Sequence, residues 1–275
     1  MELSEIFNYG FVQRAIIAGV LIAAICSLLG VFLVLRRFSL IGDGLAHITF
    51  GSVAVVLLIG ISPFYVTLAA LPIVMISSLV ILKLTSTKRI QGDAAIGIVS
   101  SIGIAAGIIL TSLSGGYNVD LFSYLFGNIL TVNQTELILS FIVFLIVVAT
   151  VVFFYHDLFA ITFDEELARS MGIKTKKINI ILFLLTALAA VLAMKVAGIM
   201  LVSAMLILPP LTALQLSISF KMTLIVATIF SVLSIISGVI VSFLLNLPAG
   251  GTIVIMNVFF LLLVFGVKKI PALQR

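Results

Sequence analysis

Asp43 and His47 stand four residues apart in the run Ile41-Gly42-Asp43-Gly44-Leu45-Ala46-His47, and a helix carries positions i and i+4 on one face. A carboxylate oxygen beside an imidazole nitrogen is a donor set that suits a divalent first-row cation such as zinc or manganese. The run opens an apolar stretch, where ionisable side chains are costly unless they face protein, water or an ion. Two readings fit the pair: an Asp–His hydrogen bond that fixes a helix end, or a station on a metal path. A closed tetrahedral zinc site needs four ligands and one pair supplies two. A path therefore requires two pairs from a symmetric dimer, or a transient stop rather than a cage.

The other polar features fall in three places. His156 and Asp157 lie where an apolar run ends, and a charged interfacial helix end is ordinary. Cys26 stands alone, so it forms no intramolecular disulfide and makes no thiol metal site. The longest polar segment, 157–177, holds Phe163-Asp164-Glu165-Glu166-Leu167-Ala168-Arg169-Ser170-Met171-Gly172. Acids at its start and a glycine at its end predict a short helix outside the membrane, either solvated or docked on a partner. Ser203-Ala204-Met205-Leu206-Ile207-Leu208-Pro209-Pro210 places two prolines in an apolar helical pattern. They kink the helix and release carbonyls that lipid cannot satisfy, which suits a packing kink or the wall of a pathway.

The elements that position these residues follow from composition. Of 275 residues 63% are hydrophobic and only 9% charged, and the mean hydropathy is +1.43, whereas soluble domains carry about 25% charged residues. Lipid is the solvent. Long apolar runs such as 138–155 replace the period-two alternation of a membrane barrel. The predicted fold class is all-α: a polytopic transmembrane helical protein forming one transmembrane domain over 1–275. Met1 to Tyr9 carries Glu2 and Glu5 rather than a basic leader, so the first span is expected to be retained.

Apolar runs predict nine spans, at 15–35, 45–62, 65–82, 94–113, 136–155, 178–194, 198–216, 222–245 and 251–267, with eight or ten also compatible. Basic residues Arg36, Arg37, Lys83, Lys88, Arg89, Arg169, Lys174, Lys176, Lys177, Lys221, Lys268, Lys269 and Arg275 fall on one side of successive spans. By the positive-inside bias that side is the cytoplasm, with the amino terminus outside and the carboxyl terminus inside. The same bias accounts for the net charge of +5, so no nucleic-acid partner is expected. Gly97, Ser101, Gly103 and Gly107 give the fourth span small residues at helical spacing, which predicts an internal helix. Residues 120–132 are too short to cross and too apolar for a loop, as a re-entrant segment would be.

Several runs then coincide: Leu35 to His47, Asp120 to Val132, Asp164 to Gly172, and Gly198 to Ala213. Together they resemble the bacterial zinc and manganese ABC transporter permease family over nearly the whole chain, with Gly-Asp-x-x-x-His after a basic-capped first span the most specific part. The resemblance implies a multi-pass permease of the bacterial cytoplasmic membrane, embedded in lipid. Its implied partners are a second permease copy in a homodimer, two cytoplasmic ATP-binding subunits, and an extracellular or periplasmic metal-binding protein. Asp43 and His47 match the family's metal-pathway pair. Glu166, Leu167, Ala168 and Gly172 match the segment that meets the ATPase, which makes 157–177 the docking loop and its helix the coupling helix. Pro209 matches the proline of the late kinked span. The run Asp120 to Gly127 looks more like the zinc branch than the manganese branch. No resident cofactor is implied; the cargo is a divalent metal, zinc before manganese or iron.

The chain lacks the Gly-x-x-x-x-Gly-Lys-Ser/Thr phosphate loop, the His-Glu-x-x-His motif and the Gly-x-Ser-x-Gly elbow. It is therefore expected to be no enzyme, with ATP hydrolysis left to a separate subunit. A proton-coupled secondary metal carrier is the alternative, but it needs no docking loop, and such carriers commonly show inverted repeats. An intramembrane hydrolase would need a nucleophile or more ligands, and Asp93, Asp120 and Glu136 all lie at span ends.

Overall fold

A computed structural model describes residues 10–61, 65–86, 90, 92–113, 132–216 and 219–268. These form helices α1 (Gly10–Leu35), α2 (Ile41–Leu58), α3 (Val66–Thr85), α4 (Gly92–Leu113), α5 (Gln134–Phe153) and α6 (Tyr155–Phe163). After them come α7 (Glu165–Ser170), α8 (Thr175–Ala197), α9 (Ile199–Gln215), α10 (Phe220–Leu245) and α11 (Ala249–Lys268). Eight are long and apolar enough to span a membrane, and α9 is a shorter apolar helix. The seventh predicted span, 198–216, is thus the short helix α9, separated from α8 by Gly198 at φ +82°, a backbone state that glycine adopts without a Cβ penalty.

The centre of the bundle is α1, α2 and α8, in each of which 72% of the apolar stretch is buried. Around them, α10 packs on α1 and α11, α9 on α1 and α11, α3 on α8 and α2, and α5 on α1. The fourth span is not internal as expected: only 28% of α4 is buried. Its small residues divide between two faces. Gly103 and Gly107 press on α2, where a Cβ on Gly103 would stand 2.7 Å from Ile48 Cα and 2.9 Å from the His47 carbonyl oxygen. Gly97 has nothing within 4 Å of its Cβ position, and Ser101 is exposed. Small residues permit close approach, but only one face of α4 meets a neighbour.

Three further boundaries move. The second span begins at Ile41 rather than 45, so Asp43 and His47 both lie within α2. The fifth span stops at Phe153, and a break at Phe154 starts the separate helix α6. α8 begins at Thr175, which puts Lys176 and Lys177 in its first turn. The predicted re-entrant segment, 120–132, lies outside the described residues except for Val132.

α9 runs unbroken through Pro209 and Pro210, both buried. Proline lacks the N–H that would bond the carbonyl four residues earlier, so Pro210 frees Leu206 O. That oxygen lies against Gly30 of α1, where a Cβ would overlap it. Absence of a side chain at Gly30 brings an α1 Cα–H to the released carbonyl. The prolines therefore mark a close α1–α9 seam within a helix that continues through them.

Polar side chains collect at two ends of the bundle. At one, a cleft of ≈ 300 Å³ is lined by Leu82, Lys83, Glu165, Arg169, Lys176 and Asn179 among others. At the other, Lys195 Nζ lies 3.5 Å from Glu136 Oε1, and Glu136 completes a capping box with Asn133 at the start of α5.

Candidate metal path and docking helix

Asp43 sits in the first turn of α2, where a negative charge complements the helix dipole. His47 follows one turn later, and its Nε2 is 3.4 Å from Asp43 Oδ2. The predicted shared face is observed. Ser203 of α9 makes a long hydrogen bond, 3.4 Å, from Oγ to Asp43 Oδ1. This hydroxyl brings a third polar group to the pair, and the sequence reading did not foresee it.

Neither α2 nor α9 could hold this arrangement with larger residues at the contact. A Cβ on Gly42 would meet the Leu206 side chain at 2.6 Å and Ser203 Cα at 3.4 Å, while Gly44 faces Ile96 of α4 at 2.5 Å. Gly44 thus lets α4 close on the back of the turn that carries the pair. The Asp43 side chain is 49% exposed and that of His47 26%, so the pair opens outward from the protomer rather than into a sealed core. Along α9 the same open side continues as Ser203, Ile207 and Leu211, each half-buried and four residues apart.

Among the described residues no group of three or more His, Cys, Asp or Glu side chains could hold a metal ion. His156 is exposed beside Tyr155, with ring centroids 5.5 Å apart, and joins no such group. Cys26 is fully buried and free. The described donors around Asp43 therefore fall short of a closed tetrahedral set.

The segment 157–177 contains α7, a six-residue helix capped by Asp164, whose side chain accepts from Leu167 N at 2.9 Å. Of the residues matched to the docking segment, Glu166 and Leu167 are exposed and Gly172 closes the helix at φ +87°. Ala168 points the other way and is buried at 1% exposure, so it seats α7 on the bundle and leaves Glu166 and Leu167 to face outward. Leu167 and Met171, four apart, are 57% and 70% exposed. An apolar stripe on a helix between polar neighbours is the kind of surface that a partner covers.

Behind α7 lies a polar cluster that spacing alone did not reveal. Arg36 Nη2 pairs with Glu165 Oε2 at 3.0 Å, and Arg36 Nη1 donates to Asn179 Oδ1 at 2.7 Å. Burial lowers the pKa of the Arg36 guanidinium, and the neighbouring Glu165 carboxylate opposes that shift. The residues of this cluster lie far apart in the chain, on three different helix ends, which is why no local pattern announces it.

Comparison with known proteins places the chain. It is 35% identical over 251 residues to the manganese transport system membrane protein MntC of Halalkalibacterium halodurans, covering 91% of this chain and 85% of that protein. It is 33% identical over 249 residues to the high-affinity zinc uptake system membrane protein ZnuB of Haemophilus influenzae, covering 90% and 94%. Among solved structures, PsaBC from Streptococcus pneumoniae in complex with Fab superposes with a TM-score of 0.83 at 30% identity, covering 96% of this chain and 94% of that one. An inward-facing metal-chelate type ABC transporter shares the fold at a TM-score of 0.71 and 18% identity. The sequence pattern of the ABC 3 transport family matches residues 8–268, and the chain belongs to that family.

Proposed function

We propose that this protein is the membrane-spanning permease of an ATP-driven importer for a divalent metal ion, and that Asp43, His47 and Ser203 form a station on the path of that ion. The observation that carries the reading is the open Asp43–His47–Ser203 cluster where α2 meets α9. Carboxylate, imidazole and hydroxyl offer replacement ligands for part of an ion's hydration shell, and their exposure allows the ion to leave again. The names of the relatives cover both manganese and zinc systems, and they support manganese at least as well as the zinc expected from residues 120–127.

A second copy of the chain completes the picture. Two copies meeting across the open side of α2 and α9 would bring two Asp–His pairs to one pathway, the four donors that a single chain lacks. The end of the bundle that gathers Arg36, Lys83, Arg169 and Lys176 faces the cytoplasm under the positive-inside bias. Glu136 and Lys195 then lie toward the outside, as does the amino terminus, while the carboxyl terminus is inside. Glu166, Leu167 and Met171 on α7 offer the cytoplasmic docking surface for an ATP-binding subunit, and an external metal-binding protein delivers cargo to the opposite face.

The test is uptake by the complex of permease, ATP-binding subunit and external metal-binding protein in vesicles, with zinc and manganese in competition. ATP-dependent accumulation of either metal supports the reading, and the preferred metal identifies the cargo. A complex that hydrolyses ATP on addition of the loaded binding protein yet accumulates neither metal would refute it.

A further inference from the structure

An importer must carry motion from the helix that meets its ATPase to the residues that hold its cargo, and in this chain those places are α7 and α2. One cluster spans the interval. Arg36, the residue after α1, divides its guanidinium between two acceptors, Glu165 Oε2 at 3.0 Å and Asn179 Oδ1 at 2.7 Å. Asn179 Nδ2 closes the triangle by donating to Glu165 Oε1 at 3.0 Å. The three vertices belong to three elements: Glu165 opens α7, Asn179 lies in the second turn of α8, and Arg36 begins the corner between α1 and α2.

The same corner is gripped a second time. Phe38 packs edge-on against Phe183, ring centroids 5.4 Å apart, and Phe183 lies one turn beyond Asn179 on the same face of α8. The Arg36 guanidinium sits 5.6 Å from the Phe38 ring centroid. From Arg36 to the metal pair the backbone has no slack: Phe38 N donates to Leu33 O, Ile41 N to Phe38 O, and Gly44 N to Leu40 O. Arg37 turns the chain at φ +62°. The fork thus ties α7 to a hydrogen-bonded corner, and the next helix carries Asp43 and His47.

We propose that the Arg36–Glu165–Asn179 triangle is the coupling joint of the permease, converting movement of the docking helix into movement of the α2 turn that holds the metal pair. The proposal rests on the reading of α7 as the ATPase-docking helix and of Asp43 and His47 as the metal path. Its chemistry requires arginine, because a planar guanidinium satisfies two acceptors at fixed angles while a lysine ammonium acts as a point charge. Glu165, Arg36 and Asn179 are positioning residues and do not touch the cargo.

The experiment uses the full complex in vesicles and measures ATP hydrolysis and metal uptake on the same sample, for Glu165→Gln and Arg36→Lys. Glu165 has a 34% exposed side chain, so its amide variant is the milder of the two. The expected result is assembly with the ATP-binding subunit and near-parental ATP hydrolysis, with metal moved per ATP reduced about tenfold, within the usual span of coupling effects. A structural staple would instead lower the melting temperature and leave that ratio alone. An unchanged ratio in both variants overturns the proposal, whatever happens to stability. A second readout needs no transport: nucleotide-dependent deuterium exchange of the amides of 36–47 should change in the parent and not in the variants. Persistence of the parental change in both variants also overturns the joint. Failure of the parental complex to import metal refutes the transport reading instead, and the exchange measurement then still decides the joint.

Discussion

Adding one methyl group at Gly103 should disturb the Asp43–His47 pair through the backbone of α2. The Cβ would stand 2.7 Å from Ile48 Cα, 2.9 Å from Ile48 N and 2.9 Å from His47 O. All three are backbone atoms, so no side chain can swing away, and α2 and α4 must part by about 0.7 Å before the closest contact reaches an ordinary 3.4 Å. Overpacking of this kind costs roughly 1–3 kcal/mol, and the rigid backbone on both sides puts Gly103→Ala in the upper half. The alanine regains about 1 kcal/mol in helix propensity, leaving a net loss of about 1–2 kcal/mol. Gly97→Ala is the internal control: it lies on the same helix with nothing within 4 Å, so it should be neutral or gain up to about 1 kcal/mol. The assay is thermal unfolding of the purified permease in detergent, paired with metal uptake by the reconstituted complex. Gly103→Ala should melt lower and import more slowly because the His47–Ile48 backbone has moved, while Gly97→Ala should do neither. Equal melting and equal uptake for the two variants would refute the reasoning.

Other predictions follow from the two ends of the bundle. Glu136→Gln keeps the capping box, which accepts glutamine, but removes the carboxylate 3.5 Å from Lys195; thermal unfolding should report a loss of about 1 kcal/mol. Glu166→Lys should weaken co-purification of the ATP-binding subunit while leaving the melting of the permease unchanged, because the side chain is exposed on α7. Gly172→Leu should also weaken that co-purification, by straining a φ of +87°, and should lower the stability of the permease by roughly 1–2 kcal/mol. The isolated permease in lipid should release no phosphate from ATP in a direct phosphate assay, since the chain contains no phosphate loop.

Much of this architecture is legible in the sequence because lipid imposes one rule everywhere: each crossing segment must be long, apolar and helical. The span positions, the isolated Cys26 and the Asp43–His47 face follow from that rule and from helical spacing. What spacing cannot supply is the identity of the neighbour. Gly97 and Gly103 read alike in the chain, yet one faces open space and the other the backbone of α2. Ser203 is an unremarkable hydroxyl until α9 lies against α2. The start of α2 at Ile41, ahead of the apolar run from 45, is hidden in the sequence because its N-cap is Leu40, which offers no side-chain capping signal. The break at Phe154 was missed because apolar residues continue across it without a glycine or proline. Arg36, Glu165 and Asn179 were each visible only as charged or polar residues near a span end, and their meeting is a tertiary event.

The most direct measurement is metal uptake by the reconstituted complex containing His47→Ala, with the external protein loaded to the same level as in the parental sample and ATP hydrolysis recorded alongside. With imidazole removed, Asp43 and Ser203 alone cannot replace enough of the ion's hydration, so uptake should be abolished or severely reduced while the complex still assembles. Uptake of zinc and manganese at the parental rate by an assembled His47→Ala complex would contradict the metal path at Asp43 and His47.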